Sequence, residues 1–419
     1  MLICQRLASC RLSRSHRLWD NLGTVIVEEP LTPNIKRKQT TGYYLAFITL
    51  GLATAALGPA LPYLADQTGS ELNQISILFT AKATGYLLGS LIGGRFYDRL
   101  PGHQVMFIGL IGMVITVALT PVVPLLWFLV GVLFFLGATE GAVDVGGNTL
   151  LVWVHRRDVG PFMNTLHLFF GVGTFLAPII LAQSVLHSDG IRLGYWLIAL
   201  VILPLALWLL RLPSPAAPMR EEEKEGLSNV WLLSLIVVFF FLYVGAEVGF
   251  GGWVFTYTLK MGLAEETAAA YLTSTFWGAF TVGRLFGIPI AARLRARWIL
   301  SADLAGCLIG LGLILLSPES LTALWAGTFI VGLSMASIFP TMITFSEHRM
   351  TLTGTTTSLF FVGASAGGMF LPWLIGQLFE PVGPQIVITI ILVDLLAAVL
   401  LFITLMRASQ SMVAQSSQH

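Results

Sequence analysis

Charge is what this chain has least of. Only 11% of its 419 residues are Asp, Glu, Lys or Arg, against about 25% in a soluble domain. So few charges leave too little polar surface to hold a globule of this size in water, which argues against a soluble protein. The net charge of +1 offers no electrostatic footprint for nucleic acid, and no such partner is expected. Cysteine is scarce too. Cys4, Cys10 and Cys307 match no zinc, haem or redox spacing, so neither a metal nor a cofactor is expected. Gly-x-Ser-x-Gly, His-Glu-x-x-His and nucleotide-binding motifs are missing, which speaks against an enzyme and against ATP-driven pumping by this chain alone. Residues 1–41 lack the apolar run of about 7–15 residues that a signal peptide needs. They carry Arg6, Arg11, Arg14, Arg17, Lys36, Arg37 and Lys38, and their first acid is Asp20. The acid-free start has a faint organelle-transit character, but a disordered basic tail or an over-extended start is the reading adopted.

Apolar residues make up 56% of the chain. A bilayer core takes about 20 apolar residues as a helix. Runs of that kind occur at 42–65, 72–97, 104–121, 125–152, 161–186, 193–211, 229–259, 267–292, 297–317, 321–346, 354–379 and 384–406, separated by Gly, Pro and charged residues. Twelve spans put both termini on one side. With that side taken as cytoplasmic, nineteen of the 23 Lys and Arg residues fall on it. The other loops hold two, Arg192 and Lys260, and Lys82 and Arg284 lie inside spans. The positive-inside rule therefore predicts cytoplasmic termini. Residues 212–228, with Pro213, Pro215, Pro218 and the run Glu221, Glu222, Glu223, form the one long polar linker mid-chain. The expected organisation is a tail at 1–41, six-helix bundles at 42–211 and 229–407, the linker between them, and a polar tail at 408–419.

A shift of 194 positions aligns the two halves without a gap. It pairs Gly58 with Gly252, Tyr63 with Tyr257, Gly89 with Gly283, Gly93 with Gly287, Arg99 with Arg293, Gly173 with Gly367 and Pro178 with Pro372. Any one glycine match means little among 42 glycines, and each is most simply a packing position. The constant offset across spans 1, 2 and 5 carries the weight. Two six-helix repeats related by an axis along the membrane normal are the architecture of major facilitator transporters.

Residues 89–99, GSLIGGRFYDR, resemble the major facilitator signature between spans 2 and 3. The resemblance implies that Gly93 allows close packing and that Asp98 and Arg99 form a charge relay that helps hold one conformation. The basic cluster that usually follows is reduced to His103. More specific stretches are GATEGAVDVGGN at 137–148, NTLHLFFGVGTFLAP at 164–178, YVGAEV at 243–248 and FWG at 276–278. Together they resemble the sodium-dependent glucose transporter branch, close to the fucose–proton symporters, over most of 42–405. That resemblance implies a sugar or sugar-like solute and a coupling cation, sodium or proton. Within these stretches Asn164, His167 and Trp277 are candidate solute contacts, the ring of Trp277 being able to stack on the apolar face of a sugar. One departure limits the transfer: fucose-type symporters use an acid in span 1, and residues 42–65 contain no Asp or Glu.

Ionisable groups inside a span are costly and point to cavities or partners. Glu140, Asp144 and Asn148 recur every fourth residue, which places them on one face of the fourth span. Two neighbouring carboxylates suit a proton carrier, and with Asn148 they suit a hard cation equally well. A structural network with Lys82 is the alternative, and Lys82 needs Glu140 or Asp144 as counter-ion. His167 could bond a solute or relay a proton, or be satisfied by Asn148 or a backbone carbonyl. Glu247 and Arg284 both fall near mid-membrane and are expected to pair, with contact to the solute as the alternative. Trp253 and Tyr257, near the outer end of span 7, could stack on a sugar or gather at the membrane interface, and the interface is the reading adopted.

The fold expected is an all-α membrane protein of the major facilitator type, with twelve helices in two bundles. The function expected is secondary active, cation-coupled import of a sugar-like solute by a monomer in the plasma (cell inner) membrane, with lipid and solute as its partners. The rivals are a proton-driven exporter of amphipathic compounds with the same fold, and a sensor that binds solute without moving it.

Overall fold

The computed structural model describes residues 32–188, 190–215, 230–347, 349–350 and 354–416. Most of the linker and residues 1–31, including the transit-like start, lie outside the described residues. Twelve helical segments follow one another: α1 (Pro33–Thr68), α2 (Leu72–Tyr97, interrupted at Ser76), α3 (Gly102–Leu119), α4 (Leu126–His155), α5 (Val159–His187), α6 (Arg192–Leu210), α7 (Val230–Lys260), α8 (Glu266–Ala291), α9 (Ala296–Leu316), α10 (Leu321–Glu347, interrupted at 336–337), α11 (Gly354–Val382) and α12 (Ile386–Ser416). No strand occurs among the described residues. A helix satisfies every backbone donor within one segment, which a chain in hydrocarbon requires.

Eleven of the twelve are long and apolar enough to cross a membrane. The exception is α8. At 26 residues it is about 39 Å long, but Glu266, Thr267, Thr273, Ser274, Thr275, Thr281 and Arg284 lower its hydropathy. Large apolar side chains cover the outside of the molecule: Trp127 is 77% exposed, Phe128 70% and Leu316 87%. Such a surface needs lipid rather than water around it.

Two boundaries differ from the sequence reading. α1 begins at Pro33 rather than 42, so residues 33–41 are helical and not part of a structureless tail. Proline suits the first turn of a helix because its missing N–H would have no helical partner there. The polar run around Lys36, Arg37 and Lys38 hides this start from a hydropathy reading. The final helix likewise runs on to Ser416, through most of the expected polar tail.

Without water to drive helices together, association in a membrane rests on close packing and small residues. Packing partners are α2 with α4, α3 with α4 and α6, α7 with α11 and α12, and α9 with α10. The repeat appears in these contacts. A side chain on Gly51 would meet the backbone of Gly173 and Thr174, and one on Gly245 would meet Gly367. Each member of the second pair is 194 residues on from its counterpart in the first. Across the halves, α2 packs on α11 and α5 on α8, and the same shift exchanges these two contacts. Gly58 lies against Gly251 and Gly252: a Cβ on Gly58 would stand 2.9 Å from the Gly251 carbonyl oxygen. Gly58 thus touches its own repeat mate, which happens only close to the axis relating the halves. The whole site lies within the compact unit Gln39–His419.

Candidate functional site

The end of the bundle carrying Arg99 and Arg293 is called here the near side, and the opposite end the far side. The far side is closed. Leu72 N–H donates to Glu380 Oε1 at 3.0 Å, and Gln377 Nε2 donates to the Asn73 carbonyl at 2.7 Å. Gln183 Nε2 donates to Tyr271 Oη at 3.0 Å, and Phe79 packs on Trp253. Phe255, Tyr257, Ala270 and Thr273 are buried behind this layer. Asp144, Asn148, His167, Glu247 and Arg284 lie deeper in the bundle yet remain partly exposed, so the central space is reached from the near side.

Lys82 and Glu140 face each other across α2 and α4. Lys82 Nζ stands 3.1 Å from Glu140 Oε1, an ion contact rather than an aligned hydrogen bond. Its remaining donors reach the carbonyls of Ala53 at 3.3 Å and Thr54 at 3.2 Å on α1. Of the two counter-ions left open by the sequence, the structure selects Glu140. Four residues on, Asp144 has a different set of partners. Tyr86 Oη donates to Oδ2 in a short hydrogen bond, and Asn148 Nδ2 donates to Oδ1 at 3.0 Å. The stripe on α4 therefore splits into a buried ion pair and a carboxylate held by neutral donors.

Tyr86 was absent from the sequence reading. Its signal was present, since it lies four residues from Lys82 and shares its helix face. His167 meets the edge of Phe47, with ring centroids 5.8 Å apart, and not Asn148. Asn164 is exposed on α5. Trp277 is 8% exposed, and its Nε1–H is buried without a partner.

The expected Glu247–Arg284 pair does not form. Lys82 and Glu140 come within ion-pair distance, whereas Glu247 and Arg284 do not. Tyr243, one turn before Glu247 on α7, donates to the Met335 carbonyl at 2.8 Å. The Arg284 guanidinium lies over Phe280, 4.5 Å from the ring centroid. One turn separates Phe280 from Arg284 on α8, so the ring offers a local resting place that competes with a partner on another helix. Arg284 remains near enough to Asp144, His167 and Glu247 for its charge to be felt at each. Because the two charges do not neutralise each other by contact, Glu247→Gln and Arg284→Gln should each give a normal yield of folded protein. The double variant should then transport no better than the worse single. Rescue of yield in the double variant would restore the structural pair.

Other expectations change with the packing. Trp253 and Tyr257 are fully buried, and Trp253 Nε1 donates to the Pro372 carbonyl at 3.0 Å. Both belong to the far-side core rather than to an interfacial belt. His103 is buried rather than part of a basic surface cluster. It contacts Tyr43 Oη at 2.8 Å and the Leu212 carbonyl at 2.9 Å, tying the start of the linker to α1 and α3. Gly93 packs against Ala142, while Asp98 and Arg99 are exposed. Two acids not weighed in the sequence, Asp303 and Asp394, lie in α9 and α12 apart from the central set. Asp303 accepts a 2.5 Å bond from Ser337 at the break in α10, and Asp394 Oδ2 is buried without a partner.

The Major Facilitator Superfamily family model matches residues 43–372. The chain belongs to the Major Facilitator Superfamily. It is 31% identical over 379 residues to sodium-dependent glucose transporter 1A of Mus musculus, covering 80% of this chain and 88% of that one. It is 26% identical to major facilitator superfamily domain-containing protein 4A of Homo sapiens, covering 82% of this chain and 87% of that one. The solved structure of the nucleoside transporter NupG (D323A mutant) superimposes with a TM-score of 0.72, covering 89% of this chain and 99% of that one. At 14% identity that likeness speaks for the fold alone. This superfamily member is an integral membrane transporter and not an enzyme.

Proposed function

We propose that this transporter imports a sugar or sugar-like solute together with a cation, sodium or proton, by alternating access. The observation that carries the reading is the ring of polar groups at the centre of the bundle, shut off on the far side and reachable from the near side. Asp144, Asn148, His167, Glu247 and Arg284 supply donors and acceptors from four helices, α4, α5, α7 and α8. A polyhydroxylated solute needs many such bonds, whereas an amphipathic export cargo needs a mostly apolar cavity. Trp277 offers a ring face and an unpaired N–H beside this set. Asn164 extends it towards the near side, and Gly93, Asp98 and Arg99 form the conformational loop. The name of the mouse relative supports the sugar class and the cation. The two sets of six helices, 42–211 and 229–407, act as the moving halves joined by the linker, within one monomer.

Under this reading the near side is the cytoplasm, both termini lie there, the membrane is the plasma membrane, and the structure is an inward-facing state. A labelled sugar panel offered to proteoliposomes, with sodium and proton gradients imposed separately, tests the proposal. At least one sugar should accumulate under one gradient, and none moving under either would end the sugar reading. Topology is checked separately with single cysteines. Asp66→Cys and Glu222→Cys should react with impermeant reagents from opposite sides, and same-side labelling would overturn the six-plus-six arrangement.

A further inference from the structure

The surroundings of Lys82 show more than an ion pair. An ammonium has three N–H donors and no acceptor, and here it meets three oxygens: Glu140 Oε1, the Ala53 carbonyl and the Thr54 carbonyl, at 3.1 to 3.3 Å. Both side chains are buried, with 11% and 2% of their surface exposed. One carboxylate oxygen with two main-chain carbonyls is the oxygen set a hard cation takes. The carbonyls come from consecutive residues inside α1, and a carbonyl oxygen has a second lone pair to offer the ammonium beside its helical bond. The set has one negative charge and already holds one positive charge. A second cation entering it would sit within a few ångströms of the ammonium in a low-dielectric surrounding, where like charges repel strongly.

We infer that Lys82 is a tethered cation: its ammonium fills a monovalent-cation site made by Glu140 and the carbonyls of Ala53 and Thr54, and sodium does not bind there in the working protein. Of the two carboxylates on the α4 stripe, Glu140 is thus committed to Lys82, and Asp144 is left to exchange with the central space. This conclusion rests on the transporter reading only for its consequence, that any coupling cation is handled at Asp144. The occupancy of the site is independent of the solute.

The test uses purified full-length protein in detergent, with melting followed in NaCl or in choline chloride at equal ionic strength. Any sodium shift in wild type should be unchanged by Glu140→Gln, because Asp144 is the carboxylate left to meet a coupling cation. Lys82→Ala empties the site while keeping Glu140, and sodium should raise its melting temperature by several degrees in a saturable manner. The double variant K82A/E140Q should lose that shift. A folded K82A that ignores sodium would overturn the inference. So would a saturable sodium shift in wild type that Glu140→Gln abolishes. The wild-type comparison needs no variant at Lys82 to fold, so it remains decisive if K82A yields no folded protein. No solute is present in any arm, so failure of the sugar reading leaves these outcomes unchanged.

Discussion

Asp144→Asn is expected to abolish accumulation of solute against a gradient while leaving the protein folded. Asparagine keeps the shape and offers its one oxygen to Tyr86 or Asn148, which hold Asp144 now, while its amide N–H can donate to the other once that group turns. It carries no charge and takes up no proton. One charge crossing 100 mV contributes about 2.3 kcal/mol, or roughly a 50-fold concentration ratio. A wild-type protein coupled to one cation should approach that ratio in energised proteoliposomes, and the variant should stop at a ratio of about one. Exchange of labelled for unlabelled solute at equal concentrations should persist, because that step does not require release of the cation. A variant that concentrates solute as wild type does would remove Asp144 from the coupling step.

A side chain at Gly58 should hold the far side open. The Cβ of an alanine would stand 2.9 Å from one backbone carbonyl oxygen of α7 and 3.0 Å from the next, and backbone cannot turn aside as a flexible side chain can. Overpacking of this kind costs about 1–3 kcal/mol, which shifts an equilibrium between two states about 5- to 150-fold. Gly58→Ala should therefore slow turnover, and Gly58→Leu should reduce uptake to background. The measurement that separates this from misfolding is accessibility of Ala270→Cys, a position 2% exposed behind the closed far side. With Cys4 and Cys10 replaced by serine, an impermeant thiol reagent added from the far side should label Ala270→Cys in the Gly58→Leu background and spare it otherwise. Equal protection in both backgrounds, with normal uptake, would show that the α1–α7 crossing does not gate.

The central charges show where sequence reading succeeds and where it stops. Glu140 and Asp144 could be placed on one face of α4 because four residues bring a helix back to the same side. That Lys82 needed a counter-ion followed from its depth alone. Yet spacing along α4 could not distinguish Glu140 from Asp144 as the partner, since both share the stripe. The choice depends on the height at which α2 crosses α4, and glycines set it: Gly137 and Gly141 bring α4 against the backbone of α2 at Lys82 and Tyr86. Glu247 and Arg284 looked like partners because both lie near mid-membrane. Depth fixes one coordinate of three, and in the fold Arg284 found a nearer companion in Phe280, one turn away on its own helix.

By itself, the sequence determined that this protein is a helical membrane transporter of two related halves. Those conclusions follow from quantities that survive without coordinates: few charges, apolar runs about 20 residues long, an uneven distribution of Lys and Arg, and a repeat at constant offset. Only the tertiary structure decided which charges pair, which side is closed, and that Trp253, Tyr257 and His103 are core residues. The physical reason lies in the solvent. In water, the apolar stripe of a helix shows which face turns inward. In lipid, the outward face is apolar as well, so rotation and partner choice are left to close packing between helices far apart in the chain.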